Sequence, residues 1–259
     1  MTENTSHDPA SLLTDLPPYI YGTTRLGDDK LPHEDRVKMA RLAVDSCDWF
    51  HTSHTYGNAL QVIRTALDQG GSRAPKVIVK LIASSIEEMR DVVHKNIGSL
   101  GYDSIDLGQL CLGGSLVDEF ANGGDCYKGF AKLKEDGLVK RFVVEVFPWT
   151  SDMSLSALRN HYSDGIVDGY IFYLNPLQRL ATNPLWNLIH ERQMPIVAMR
   201  TVSGGPVHRL RDVPGAAWAA YLQERAVQIA PIFERSGIES WTEFCVRFAH
   251  SFDLVRTTV

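Results

Sequence analysis

Eight short apolar runs rich in Val, Ile and Leu alternate with amphipathic segments along 259 residues, and this alternation limits the possible folds more than any other feature of the chain. The strand-like runs lie at residues 19–22, 49–52, 76–80, 105–111, 141–146, 169–172, 196–199 and 254–259. Apolar residues at helical spacing mark residues 34–45, 58–68, 85–100, 127–135, 154–162, 184–191, 218–235 and 241–252 between them. Ser85 followed three residues later by Glu88 forms a capping pattern, and Gly137 is placed to stop a helix. Strands that alternate with helices predict a parallel sheet covered by helices. Eight of them predict a closed (β/α)8 TIM barrel in preference to an open doubly wound sheet, and no G-x-G-x-x-G pattern follows the first strand. The chain reaches Val259 at the eighth strand with no eighth helix after it. One flank of the barrel is therefore expected to be bare unless residues 215–235 or a partner covers it.

A polar leader, residues 1–18, is expected to be flexible, followed by a single barrel domain over residues 19–259. The leader lacks a signal-type apolar core, which predicts that the chain is not exported. The net charge of −5 and the absence of Lys/Arg runs predict no nucleic-acid or membrane partner. No apolar run approaches the roughly 20 residues that span a bilayer. Cys47, Cys111, Cys126 and Cys245 are scattered without C-x-x-C spacing. That pattern predicts reduced thiols in a cytoplasmic protein and no zinc site. The expected partner is a small-molecule substrate, and the sequence is compatible with a homo-oligomer.

Chemistry in such a barrel gathers at the carboxyl ends of the strands. That rule brings His51, Tyr56, Lys80, Cys111, Glu145, Trp149, Asn175 and Arg200 to one rim. Glu145 ends an otherwise apolar strand and must be paired or functional, because an isolated buried carboxylate is costly. Cys111 reads either as a small buried hydrophobe or as a reactive thiol. His51, His54 and Cys111 have metal-ligand chemistry, but histidines three apart on a strand face opposite sides, so no metal is expected. Arg200 suits a carboxylate or a phosphate, and Ser203-Gly204-Gly205-Pro206 is either a phosphate-friendly turn or a loop that needs glycine dihedrals.

Several segments, in order, resemble the aldo-keto reductase family. They are Gly22-Thr23-Thr24-Arg25-Leu26-Gly27, Phe50-His51-Thr52-Ser53-His54-Thr55-Tyr56-Gly57, Lys80 at the third strand, Ser99-Leu100-Gly101-Tyr102-Asp103-Ser104-Ile105-Asp106-Leu107, and Glu135-Asp136-Gly137 before the fifth strand. The resemblance implies NADPH-dependent carbonyl reduction by an Asp, Tyr, Lys and His tetrad. Tyr56 and Lys80 match the tetrad, whereas His51 stands at the Asp position and Cys111 at the His position. The family's carboxamide partners fall at Glu145, Val146 and Ile171, and its stacking aromatic falls at Met199.

These changes lead to the expectation that Lys80, lacking a fixed negative neighbour, is easily neutralised. They also lead to the expectation that the barrel uses no cofactor. The chemistry expected on that basis is isomerase- or lyase-type proton transfer on a small polar carbonyl or sugar-like substrate. Tyr56 and Lys80 would act as acid and base, Glu145, His51 or Cys111 would complement them, and Trp149, Asn175 and Arg200 would shape the pocket. An NADP-dependent oxidoreductase with an atypical tetrad is the alternative, and a non-catalytic regulatory or assembly subunit is a second.

Overall fold

The computed structural model describes residues 12–70, 74–202 and 219–259. Strands β1 (Tyr21–Gly22), β2 (Trp49–Thr52), β3 (Lys76–Ala83), β4 (Leu107–Leu112), β5 (Phe142–Glu145) and β6 (Gly169–Asn175) pair successively in parallel. A two-residue strand, β7 (Gln178–Arg179), folds back antiparallel on β6. The ring then continues in parallel through β8 (Ile196–Met199) to β9 (Val255–Thr258). An isolated parallel bridge between Tyr19 and Thr258, with Ile20 N donating to the Thr258 carbonyl at 2.9 Å, brings the last strand back to the first. The eight-stranded (β/α)8 expectation holds.

Helices α1 (His33–Ser46), α2 (Ala59–Asp68), α3 (Ile86–Leu100), α4 (Ser115–Asn122), α5 (Cys126–Glu135), α6 (Ser151–Asn160), α7 (Asn183–Glu191), α8 (Ala219–Arg235) and α9 (Trp241–His250) surround this ring. The Ser85 cap forms as the sequence suggests, its Oγ accepting from Glu88 N at 3.2 Å while Glu88 Oε2 accepts from Ser84 N at 2.7 Å. The sequence reading passes over α4. It is short, lies between two glycine pairs, and fully buries only Leu116 and Phe120, four residues apart.

The leader is not loose over its whole length: Leu13 and Leu16 are buried with Trp49, Ile78, Leu107 and Val143 inside the barrel. Asp15 adds an ion pair with Arg141 at 2.5 Å, and this, with Lys76 at 3.3 Å, holds its carboxyl below its ordinary value. Burying two leucines offsets the entropy of ordering this turn. Residues 1–11 lie outside the described residues. The expectation allowed residues 215–235 to cover the flank beside the last strand. Helix α8 does not cover it, because Ala226, Leu222 and Ile229 pack with Trp241 and Cys245 in a satellite cluster on α9. Tyr19, next to β9, stays 60% exposed.

Side-chain alternation then decides what occupies the interior. The lower layer is apolar, with Trp49, Ile78, Leu107, Val143, Ile171 and Val197. Two residues further along each strand the same inward face carries His51, Lys80, Gln109, Glu145, Tyr173 and Met199. The barrel therefore turns from apolar to polar within one layer, and this step sets the floor of the site.

Candidate active site

Strands β2 to β6 and one loop assemble the polar layer. Lys80 on β3 and Glu145 on β5 meet inside the barrel, with Nζ 2.9 Å from each carboxylate oxygen. Only Oε1 has hydrogen-bond geometry, so Oε2 is a buried acceptor without a hydrogen-bond partner. The Glu145 side chain is 1% exposed and that of Lys80 17%, so the pair is shielded from solvent screening. Burial pulls the Lys80 pKa down, but the charge of Glu145 and its hydrogen bond, with Cys111 and Tyr56 adding, outweigh burial and raise it. The expectation that Lys80 is readily neutralised is thereby corrected. The carboxylate missing at position 51 is supplied from the fifth strand, which pairwise comparison with the family's motif does not reveal.

His51 is fully buried, and its Nε2 lies 2.5 Å from Gln109 Oε1 across the barrel. Burial lowers its pKa, with Lys80 adding to that effect, against the Gln109 bond and the charge of Glu145. A neutral imidazole at this point neither repels Lys80 nor replaces an aspartate. Thr23 fixes the end of β2 by donating its N–H (3.0 Å) and its hydroxyl (2.9 Å) to the His51 carbonyl.

Tyr56 follows β2 on a turn held by close backbone contact. A Cβ on Gly27 would lie 1.7 Å from the Tyr56 carbonyl oxygen, and one on Gly57 would lie 2.4 Å from the Gly27 oxygen. Gly57 also has φ +52°. The two glycines of the matched motifs thus serve one purpose, which is to let the two loops touch and aim the phenol inward. Burial raises the Tyr56 pKa, while Lys80 and a Thr24 hydrogen bond oppose the shift, so the phenol holds its proton at neutral pH.

Cys111, the other altered tetrad position, is a protonated thiol. Burial pushes it up to about 12, with Glu145 adding and Lys80 opposing. Burial thus holds the thiol well above the range of a reactive thiolate.

Above this floor a cleft of about 480 Å³ opens, lined by His51, Tyr56, Lys80, Glu145, Tyr173 and Arg200 among others. Arg200 has φ +48° and holds its guanidinium 4.8 Å from the centre of the Tyr173 ring. Three of the sequence candidates, Cys111, Trp149 and Asn175, do not line the cleft. Trp149 is 67% exposed and stacks on Phe147 at 4.8 Å, while the Phe147 ring lies 5.8 Å from Lys80 Nζ. Asn175 is buried, accepts from Leu177 N and Gln178 N, and donates to the Arg200 carbonyl at 2.9 Å, so its side chain builds the turn after β6. His54 turns away toward α3, where Nδ1 lies 3.3 Å from Asn96 Nδ2. Among the described residues no cluster of three His, Cys, Asp or Glu side chains is placed to hold a metal. The turn at residues 203–206 lies outside the described residues.

The sequence reading misses Thr24, Gln109, Phe147 and Tyr173. The last was within reach: carrying the predicted sixth strand one residue past 172 places Tyr173 on the same face as Ile171. For a possible nicotinamide, Tyr173 offers the aromatic face absent at Met199. Glu145 Oε2 offers an acceptor for a carboxamide N–H, and Arg25 and Arg200 line the cleft as cations. The residues present therefore fit such a group.

No family profile and no curated protein matches the sequence. Solved structures do match. An aldo-keto reductase from Bacillus halodurans in its holo form is 17% identical, with a TM-score of 0.68 over 93% of this chain and 80% of its own. Two matches to putative aldo-keto reductases from Pseudomonas aeruginosa are 19% and 17% identical, with TM-scores of 0.57 and 0.58. They cover 75% and 96% of this chain and 77% and 86% of their own. The chain therefore has the aldo-keto reductase fold. The holo neighbour, aligned over nearly the whole chain, overturns the expectation that this barrel works without a cofactor.

Proposed function

We propose that the protein is an NADPH-dependent reductase of small carbonyl compounds with an atypical tetrad. The observation that supports this reading is the Lys80–Glu145 ion pair beneath Tyr56 at the floor of the cleft. Tyr56, protonated at neutral pH, donates its proton to the carbonyl oxygen of the substrate. Lys80, kept charged by Glu145, stabilises the phenolate that remains. Neutral His51 and Gln109 share the layer of the pair without adding charge. A nicotinamide dinucleotide held in the cleft would supply the hydride. Glu145 Oε2 would hold the carboxamide N–H, Tyr173 would face the ring, and Arg200 and Arg25 would face the phosphates. The scattered thiols suit a reducing cytoplasm.

A titration with NADPH, read by nicotinamide fluorescence and thermal unfolding, tests the reading. Ligand at a hundred times its dissociation constant adds about 2.7 kcal/mol of stability. Tyr56→Phe should still bind NADPH but lose about 10²- to 10⁴-fold in carbonyl reduction. No thermal response at millimolar NADPH would overturn the proposal.

A further inference from the structure

A second cavity, of about 730 Å³, opens between the β6–β7 hairpin and helices α7, α8 and α9. Its volume is that of a small-molecule site. Trp186, Tyr221 and Phe252 give it aromatic walls, and the guanidiniums of Arg179 and Arg225 lie 4.7 Å and 5.4 Å from the Trp186 and Tyr221 ring centres. Among the described residues neither arginine has a carboxylate partner and no Asp or Glu lines the cavity. Arg179 donates to the Ala181 carbonyl and to Asn183 Oδ1, and Arg225 to the Leu177 carbonyl, all neutral acceptors. Gln178, 8% exposed and also lining the cavity, has a buried Oε1 with no hydrogen-bond partner. Arg179 is half-buried with only neutral partners and the Gln178 amide oxygen is buried without one, and both are relieved by one kind of ligand.

We infer that this cavity binds a flat aromatic acid. Its ring lies against Trp186 and Tyr221, its anionic group meets the Arg179 and Arg225 forks, and Gln178 Oε1 accepts a ring hydroxyl or N–H. The site is distinct from the catalytic cleft. Asn175 lines this cavity and ties the chain to Arg200, which lines the other.

Isothermal titration calorimetry of the full chain with naphthoate, and with neutral naphthalenemethanol, tests the assignment. Naphthoate should bind at one saturable site, and the alcohol at least about tenfold more weakly, because it lacks the charge the forks recognise. Arg225 is exposed on a helix surface, so Arg225→Gln should keep the fold by circular dichroism yet weaken naphthoate at least about tenfold. Trp186→Leu should weaken it as well, and Arg200→Gln, in the other cleft, should not. Equal binding of acid and alcohol, unchanged affinity in Arg225→Gln, or loss of affinity in Arg200→Gln would each overturn the inference.

Discussion

Replacing Glu145 by Gln removes the carboxylate that lies 2.9 Å from Lys80 Nζ while leaving the side-chain volume in place. The ammonium it leaves is only 17% exposed. Keeping that charge buried and unpaired costs about 3–5 kcal/mol. Releasing its proton instead costs about 1.4 kcal/mol for each pH unit below the ordinary lysine value of 10.5, hence about 5 kcal/mol at pH 7 and about 1.4 kcal/mol at pH 9.5. In the native protein the Lys80 pKa is raised, so its stabilisation is fully present below 10.5 and is lost only as pH rises through the higher folded value. In Glu145→Gln burial has lost its main opponent and the pKa falls, so the folded state binds fewer protons than the unfolded one and stability climbs with pH. Glu145→Gln should therefore be destabilised by about 3–5 kcal/mol at pH 7 and by no more than about 1.4 kcal/mol at pH 9.5. Urea unfolding of both proteins at the two pH values measures the difference. A loss that is the same at both, or below about 1 kcal/mol at pH 7, would refute the view that Glu145 is the counter-ion of Lys80.

His51 has a folded pKa below 6.5, so native stability should fall as pH drops below 6.5, by up to about 1.4 kcal/mol per pH unit, and His51→Gln should flatten that acid slope in urea titrations between pH 7 and pH 5. Cys111, with its thiol at about 12 against an ordinary 9.0, should hold about 1,000-fold less thiolate at pH 8 than in the unfolded chain. Its alkylation by iodoacetamide, followed by mass spectrometry, should be slowed accordingly. Gly27→Ala forces a methyl group within 1.7 Å of the Tyr56 carbonyl and should cost about 1–3 kcal/mol in thermal unfolding while displacing the phenol, so carbonyl reduction drops more than NADPH affinity. Ordinary stability and activity in that variant would show that the two loops need not touch.

The order of strands and helices was legible from the sequence because period-2 and period-3.6 apolar spacing are local properties that the barrel only collects. Tyr56 and Lys80 were singled out by their resemblance to aldo-keto reductase motifs, and the turn beside Tyr56 carries its constraint in residue type at Gly27 and Gly57. The electrostatic state of Lys80 was not. Its partner lies 65 residues away, and only strand register and the alternation of inward faces on β3 and β5 put Nζ and the carboxylate within 2.9 Å. The same holds for the His51–Gln109 contact, the thiol state of Cys111 and the docking of Leu13. Residue type alone offered His51 and Cys111 as charged or reactive groups. Burial decided otherwise, because removal from water penalises the ionised form of a group, and whether a residue is buried is settled only when distant segments close around it.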